Sequence, residues 1–270
     1  MVTKNDIFRL LEEFGIRRDD KITVHSSLRA VGPIENGADG LIDALCEYLQ
    51  DGLLLIPTHT WDGFLDRLAF DVRKQKPCLG ALSRVAAFRP DAVRSLHPTH
   101  SVAAFGKMAA EYVKGEEWCT TPTPVRSCLS RLYEEQGKIL LLGVGMDSNT
   151  YLHAVEERIG VPNRIWDQYF VVKFTDAQGK NFDSLPYTGF YSEGIPEGAS
   201  EHFGNYEKPL KECGAAKYGM LGNAQVICCD ARKTVAVLQT LWKNAEYDLC
   251  SCDQDIPQKY YAELLPNQNN

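Results

Sequence analysis

The first third of the chain alternates between two hydrophobic spacings. A helix-spaced face, Ile7, Leu10, Leu11 and Phe14, follows the capping-box pattern of Thr3 and Asp6. A predicted strand at 21–25 and a buried apolar strand at 53–56 then flank a second helix-spaced segment at 41–49. This β-α-β order predicts an α/β fold, a single compact domain with a central, largely parallel or mixed sheet flanked by helices.

The second half continues this pattern and then departs from it. Buried strands are predicted at 102–105 and 139–144, with a helix near 79–88 before them. Beyond residue 157 we predict a strand at 170–174, a turn at 176–179, a strand at 225–229 and a helix at 231–242. The stretch 183–205, rich in Gly, Tyr and Glu, is typical of a substrate-facing loop region.

Composition and charge narrow the classes of function. The 270 residues are 44% hydrophobic and 24% charged, as in ordinary globular proteins. A net charge of −7 disfavours binding to nucleic acid, which is itself an anion. No apolar run approaches the length of a membrane span. The first residues also lack the basic-then-apolar pattern of a signal peptide. The sequence therefore predicts a cytoplasmic protein without nucleic-acid or membrane partners.

The nine cysteines fit the same compartment. Their number is odd and no two have Cys-x-x-Cys spacing. Cys228 and Cys229 are adjacent, so on a strand they face opposite sides of the sheet. We predict free, mostly buried thiols in a reducing environment.

Three polar segments lie at the ends of predicted strands, where α/β sheets place ligand sites. The first is His25-Ser-Ser-Leu28, followed by Arg29 and Gly32. Backbone amides and hydroxyls in such a turn can hold a phosphate that the arginine neutralises. The alternative is a polar turn that caps the next element.

The second segment is Leu96-His-Pro-Thr-His-Ser101. His97 and His100 are possible metal ligands, but Pro98 disfavours the helix that would place both on one face. No third ligand is suggested nearby, so a structural pair, or one histidine lining a cleft, is favoured. The sequence predicts no metal site.

The third segment runs from Leu140 through Gly143-Val-Gly145 to a helix that carries Thr150, His153 and Glu156. The third glycine of a dinucleotide fingerprint is missing, which disfavours a Rossmann site. A histidine one turn into a helix, with a glutamate three or four residues on, suits a general base and the carboxylate that orients it. Glu157 is as well spaced as Glu156, and a surface His–Glu pair is the alternative to catalysis.

Together these segments resemble the aminoglycoside 3-N-acetyltransferase family, also called the antibiotic N-acetyltransferase family. The matching segments occur in the family's order: 25–32, 96–101, 141–156 and Tyr218-Gly-Met-Leu-Gly-Asn-Ala224. The resemblance covers roughly residues 5–245. It implies an acetyl-CoA-dependent transferase of acetyl groups to amines, with a fold distinct from that of the large N-acetyltransferase superfamily. On this basis residues 1–252 form the domain and 253–270 a C-terminal tail.

The resemblance also implies roles for particular residues. His153 matches the catalytic base, Glu156 its orienting carboxylate and Thr150 a hydroxyl near the thioester carbonyl. The residues that match contacts with the pyrophosphate and pantetheine arm of CoA are Ser26, Ser27, Leu28, Arg29, Ser101 and Val102, and Ser127 is expected to face the cofactor as well.

The acceptor is not fixed by the resemblance. Trp61 could stack on a sugar ring, and Asp62, Asp147 and Glu193 could pair with ammonium groups of a small polyamine; a buried tryptophan and solvated carboxylates are the alternative. Three other functions stay open: transfer to a different small amine, a metal-dependent hydrolase using His97, His100 and His153, and a non-catalytic CoA-binding protein. Monomer and homodimer are equally compatible with the sequence.

Overall fold

The computed structural model describes residues 1–196 and 198–266. Within these residues, ten strands form two sheets. The strands are β1 (Lys21–Ser26), β2 (Leu53–Pro57), β3 (Ala69–Asp71), β4 (Val93–Arg94), β5 (Val102–Phe105), β6 (Lys138–Leu142), β7 (Lys173–Thr175), β8 (Asn181–Asp183), β9 (Ala216–Leu221) and β10 (Ala224–Asp230). The α-helices are α1 (Lys4–Glu13), α2 (Leu28–Val31), α3 (Gly37–Tyr48), α4 (Phe64–Arg67), α5 (Ala81–Ala86), α6 (Ala109–Val113), α7 (Thr150–Ile159), α8 (Glu207–Glu212) and α9 (Ala231–Asn244).

The main sheet is mixed, with a parallel centre. Its order is β4-β5-β2-β1-β6-β10-β9, and β1 pairs in parallel with β2 and with β6. The strands β5 and β4 on one side, and β10 and β9 on the other, pair antiparallel. The prediction of one α/β domain with a mixed sheet flanked by helices is confirmed. A smaller, separate sheet has the strand order β3-β7-β8.

Alternate residues of each central strand pack into two hydrophobic cores, one on each face of the sheet. Ile22, Leu54 and Leu140 face the core that also holds the apolar sides of α1 and α3, whereas Leu55 and Ile139 face the core that includes α7 and α9. This alternation follows from the two-residue period of a strand with both faces covered. The central strands are therefore largely apolar, and most of the polar side chains lie at their ends.

The cysteines behave as predicted. All nine are free thiols. The neighbours Cys228 and Cys229 pack in opposite cores, as the period of β10 requires. The Thr3–Asp6 capping box of α1 is also present, with the side chain of each residue bonded to the backbone of the other.

Some elements differ from the sequence prediction. The strand expected at 170–174 begins only at Lys173, because Phe170 pairs in an isolated bridge with Tyr187. The strand β9 was not predicted, and part of the region 183–205, expected to be loop, forms a 3₁₀ helix, Ala199–Tyr206, with Phe203 and Tyr206 fully buried. Phe203 and Tyr206 pack into the hydrophobic core, and amino-acid composition alone does not predict such packing.

The boundary placed at residue 252 stays a prediction. Ile256, Tyr260 and Tyr261, beyond it, are buried in the same core as α9. Residues 267–270 of the expected tail lie outside the described residues. In the described part of the chain, no helix is both long and apolar enough to cross a membrane.

Candidate active site

The polar segments that follow the central strands meet at one cavity of about 990 Å³. The parallel strands β1, β2 and β6 end at the same edge of the sheet, and β5, which is antiparallel to β2, begins there. Backbone hydrogen bonds from Thr58 and Thr60 to Ser101 and Thr99 join two of the segments. The cavity consequently brings together residues far apart in sequence, including His25, His59, His100 and His153.

A tight glycine turn delivers α7 to this cavity. Gly143, directly after β6, has φ +69°, and a Cβ there would lie 2.8 Å from the Cβ of Ala30. Glycine is thus required both by the backbone conformation and by the close approach. Asn149 then caps α7 by accepting a hydrogen bond from the backbone amide of Tyr151. Thr150 and His153 follow one turn apart, and both line the cavity.

The ring of His153 is held by aromatic side chains. Phe190 stacks on it with ring centroids 4.1 Å apart, and Phe203 meets it edge-on at 4.7 Å. Neither ring nitrogen has a hydrogen-bond partner among the described residues. Burial, with smaller contributions from the nearby His100 and Arg164, lowers the pKa of His153 to about 3. The imidazole is neutral at pH 7 and able to accept a proton.

The two candidate orienting carboxylates point elsewhere in this conformation. Glu156 accepts hydrogen bonds from Arg164 at 2.9 Å and from the Tyr206 hydroxyl at 2.8 Å. Glu157 accepts from the hydroxyl and the amide of Thr123. Between these described residues no hydrogen bond joins either carboxylate to His153. The orienting role of Glu156 stays a prediction, and so does its preference over Glu157.

Arg164 is a site residue that the sequence analysis missed. It lines the cavity, and its guanidinium bridges Glu156 and both carboxylate oxygens of Asp248, at 2.9 and 2.7 Å. The side chains of Arg164 and Glu156 are 3% and 1% exposed, so this ion pair is almost dry. No sequence signal could have found it, since Arg164 and Asp248 lie 84 positions apart.

The histidines of the second motif have different environments. The Nδ1 of His97 accepts the backbone amides of Thr99 and His100, at 3.2 and 2.9 Å, so this buried ring ties the turn together. His100 lines the cavity instead. Among residues 1–196 and 198–266, no group of three or more His, Cys, Asp or Glu side chains is arranged to hold a metal ion. The geometry thus offers no support for the metal-dependent hydrolase.

Two more histidines line the cavity with an unsatisfied nitrogen. The Nε2 atoms of His25 and His59 are buried and have no hydrogen-bond partner among the described residues. His59 was not singled out from the sequence, although it follows β2 in the way that His25 ends β1. The signal that could have found it was this position after a strand, in Thr58-His59-Thr60.

Most of the predicted cofactor residues lie outside the cavity lining. Ser26 lines it. Ser27 caps the short helix α2, which carries Leu28 and the exposed Arg29. Ser101, Val102 and Ser127 are buried; Ser101 bonds to Thr58, and Ser127 accepts the amide of Ser130. Completely buried side chains offer a cofactor no surface in this conformation, so these assignments stay predictions without geometric support.

The carboxylates at the cavity are partly different from those predicted. Trp61 and Asp147 line it as expected. Asp62 and Glu193 are exposed but do not line it; Glu193 holds Asn163 through its backbone. Asp66 and Glu201 line the cavity in their place. The cavity lining is therefore acidic, and the acceptor roles of Trp61, Asp62, Asp147 and Glu193 stay predictions.

The buried histidines should make the protein sensitive to acid. Burial lowers the pKa of His25 to about 4 and of His100 and His153 to about 3, and it holds the pKa values of His59 and His97 well below the usual range. Below pH 6.5 the histidines of the unfolded chain become protonated, whereas the buried histidines of the folded chain stay neutral. Each such histidine then removes about 1.4 kcal/mol of stability per pH unit, until the pH reaches its folded pKa.

We therefore expect the free energy of unfolding, measured with urea, to fall from pH 7 to pH 5. Buried Glu116, Glu156 and Glu157 oppose this trend, because burial raises their pKa values. His97→Asn isolates the histidine part, since it should reduce the slope whatever it does to absolute stability. An unchanged slope in that variant would contradict the prediction.

Comparison with known proteins places this geometry in context. A family model described as Aminoglycoside 3-N-acetyltransferase matches residues 23–243. The chain is 32% identical over 236 residues to aminoglycoside N(3)-acetyltransferase IV of Salmonella sp, with 86% of this chain and 84% of that protein covered. It also resembles the crystal structure of a mutant of aminoglycoside acetyltransferase AAC(3)-IVa in complex with gentamicin, at TM-score 0.73 and 29% identity over 88% of this chain and 87% of that one. A likeness in fold extends to AAC-IIIb in its binary complex with CoASH, at TM-score 0.74 and 23% identity, covering 90% and 96%.

Proposed function

The chain belongs to the aminoglycoside 3-N-acetyltransferase family, and from that premise we propose that it transfers an acetyl group from acetyl-CoA to the 3-amino group of an aminoglycoside, with His153 as general base. The observation that carries the proposal is the shared cavity. Thr150 and the neutral ring of His153 line it together with the carboxylates of Asp66, Asp147 and Glu201. A base and a set of anionic groups are what acylation of a polycationic amine requires.

The chemistry follows from these positions. An ammonium is not a nucleophile until it loses a proton. The free amine forms when the ammonium loses a proton to solvent. As its nitrogen attacks the thioester carbonyl, the two protons that it carries become strongly acidic, and the weakly basic neutral imidazole of His153 accepts one of them. The oxyanion formed on the acyl oxygen accepts a hydrogen bond from the hydroxyl of Thr150. Collapse of this intermediate breaks the C–S bond, and the proton from His153 goes to the departing thiolate.

Direct transfer is the simplest route for this cavity. None of the described residues that line it is a cysteine. Buried thiols elsewhere, such as Cys119 and Cys229, have pKa values raised by desolvation and are poor nucleophiles. An acyl-enzyme on cysteine therefore has no candidate at the site, which supports attack by the amine itself.

The cofactor and the acceptor have separate proposed positions. Ser26 lines the cavity, and the exposed Arg29 lies three residues further on, so we assign this turn to the phosphates of CoA. Trp61, half-exposed at the rim of the cavity, presents a ring face on which a sugar can stack. The thiols of the chain are free, which is consistent with a cytoplasmic protein.

The test is thiol release from acetyl-CoA over a panel of aminoglycosides, including gentamicin and sisomicin. We expect turnover only when an aminoglycoside is present, acetylation at the 3-amino group, and a KM for the acceptor that rises with salt as the carboxylates are screened. A monoamino sugar, which cannot pair with several carboxylates, is the matched control and should show a smaller salt effect. If turnover occurs only with other amines, the aminoglycoside acceptor is wrong but acetyl transfer to an amine stands. If no amine causes thiol release, the proposed function is wrong.

A further inference from the structure

His100 is a cavity residue that the mechanism above does not use. It precedes β5 and is buried, with 8% of its surface exposed. Its ring meets the edge of Phe190 at 5.2 Å, and Phe190 in turn stacks on His153 at 4.1 Å. His100 therefore lies beside the proposed base, in the same cavity as Thr150.

A chain of hydrogen bonds fixes the protonation of this ring. The Nδ1 of His100 lies 2.7 Å from the hydroxyl oxygen of Thr99, which also contacts the hydroxyl of Tyr187. Tyr187 is completely buried, and Thr99 is the hydrogen-bond partner of its hydroxyl. If Tyr187 did not donate to Thr99, its proton would be buried without an acceptor, at a cost of about 1–3 kcal/mol.

The donor and acceptor of each hydrogen bond in this series follow from the position of the Tyr187 proton. Tyr187 donates to Thr99. The proton of the Thr99 hydroxyl is buried as well, and Nδ1 of His100 is its remaining acceptor among the described residues, so Thr99 donates to Nδ1. Nδ1 is then an acceptor, and the proton of the neutral imidazole is on Nε2. Among the described residues Nε2 has no hydrogen-bond partner. It is thus the ring nitrogen of His100 that remains for a ligand in the cavity.

The ring also stays uncharged. Burial lowers the pKa of His100 to about 3, so it is neutral at pH 7. Of the titratable groups near it, Arg164 is cationic and disfavours protonation, and His59 and His97 are themselves kept neutral by burial. Asp66, Asp147 and Glu201 also line the cavity, but no hydrogen bond joins these carboxylates to the ring among the described residues. A cationic His100 would resist the positive charge that His153 gains during proton transfer. A neutral N–H donor does not.

We propose that His100 is a second catalytic residue, whose Nε2–H donates a hydrogen bond to the acyl oxygen of the thioester. The inference rests on the proposed function and names a donor for its oxyanion. As the C–N bond forms, the carbonyl electron pair moves to oxygen, where His100 and Thr150 stabilise the charge. The pair returns as the C–S bond breaks, and the thiolate receives the proton that His153 took from the amine. The products are the N-acetyl amine and CoA thiol.

The first test reads the tautomer and the contact without measuring activity. Nitrogen-15 NMR of the wild-type protein at pH 7 should show His100 protonated at Nε2 and not at Nδ1. Addition of a ketone analogue of acetyl-CoA, in which a methylene replaces the sulfur, should shift the Nε2–H resonance downfield, also in His153→Ala. Protonation at Nδ1, or an unmoved resonance when the analogue is bound, overturns the inference. Failure of the analogue to bind overturns the proposed function and with it this inference.

The second test uses variants of the same chain of residues. Removal of one oxyanion donor typically costs about 10²–10³-fold in kcat, so His100→Phe should lose that much with little change in the KM for acetyl-CoA. His100→Gln, which keeps an N–H donor of similar reach, should recover part of the loss. Tyr187→Phe should lower kcat mildly by freeing the tautomer.

The control for Tyr187→Phe is Tyr112→Phe, which removes an equally buried hydroxyl that donates to the carbonyl of Cys128, away from the cavity. It should leave kcat unchanged. Wild-type kcat in a folded His100→Phe variant would overturn the role of His100, whereas wild-type kcat in His153→Ala would overturn the proposed base; the two results are independent. If His100→Phe fails to fold, the NMR experiment on the wild type decides.

Discussion

His153→Ala is expected to lower kcat about 10²–10⁴-fold, the usual contribution of a positioned general base. The imidazole accepts the amine proton but does not hold the cofactor, so the KM for acetyl-CoA should change little. The measurement is steady-state thiol release with an aminoglycoside that the wild type acetylates. Near-normal turnover in this variant would show that His153 is not the base.

The pH dependence of kcat/KM gives the same prediction a second readout. An unperturbed histidine loses its proton near pH 6.5. The structure gives the direction of the shift: burial lowers the pKa of His153 to about 3, and no carboxylate bonds to the ring in the described residues. Activity should rise as the ring loses its proton, so the acidic limb should lie below pH 6.5 and be absent in His153→Ala.

Matched carboxamides separate the two glutamates. Glu156→Gln should cause a milder loss than His153→Ala, and Glu157→Gln should be nearly neutral if the family motif gives the right assignment. Because Glu156 bonds to Arg164 and not to the ring, a shift of the acidic limb in Glu156→Gln would indicate that its carboxylate reaches His153 only in the loaded enzyme. A larger loss in Glu157→Gln would favour the i+4 alternative.

Arg164→Leu is expected to lower the free energy of unfolding by about 3–5 kcal/mol, the usual cost of removing one partner from a buried ion pair. The variant would leave the Glu156 carboxylate, 1% exposed, without its counter-ion and Asp248 without its bidentate partner. Urea unfolding at pH 7 measures the effect. A loss below about 1 kcal/mol would mean that the pair contributes no more than an ordinary surface pair.

Two further variants identify the cause. Arg9→Leu removes an exposed arginine paired with Asp6 on α1, and should change stability little. Combining Arg164→Leu with Glu156→Gln removes the orphaned charge, so the double variant should be more stable than Arg164→Leu alone. If the double variant is no better, the loss comes from packing against Trp242, over which the guanidinium lies at 5.3 Å, and not from electrostatics.

The sequence by itself determined the framework and the place of the site. Two-residue and helical spacings are local, so they predicted β1, β2, β6 and α9, and the opposite directions of Cys228 and Cys229. Polar segments at the ends of the predicted strands were identified as candidate ligand sites, because α/β sheets bind ligands there. Ser26, His100, Thr150 and His153, which come from these three segments, line one cavity.

Only the tertiary structure decided which groups these residues contact. Spacing along α7 allowed Glu156 to orient His153, but Arg164, held by Asp248 from the far end of the chain, pairs with that carboxylate instead. The ring of His153 is packed by Phe190 and Phe203, and the proton on His100 is set by Tyr187, 88 positions from Thr99. Such contacts are made across the fold by shape and by the need to satisfy buried polar atoms, and they leave no periodic trace in the sequence.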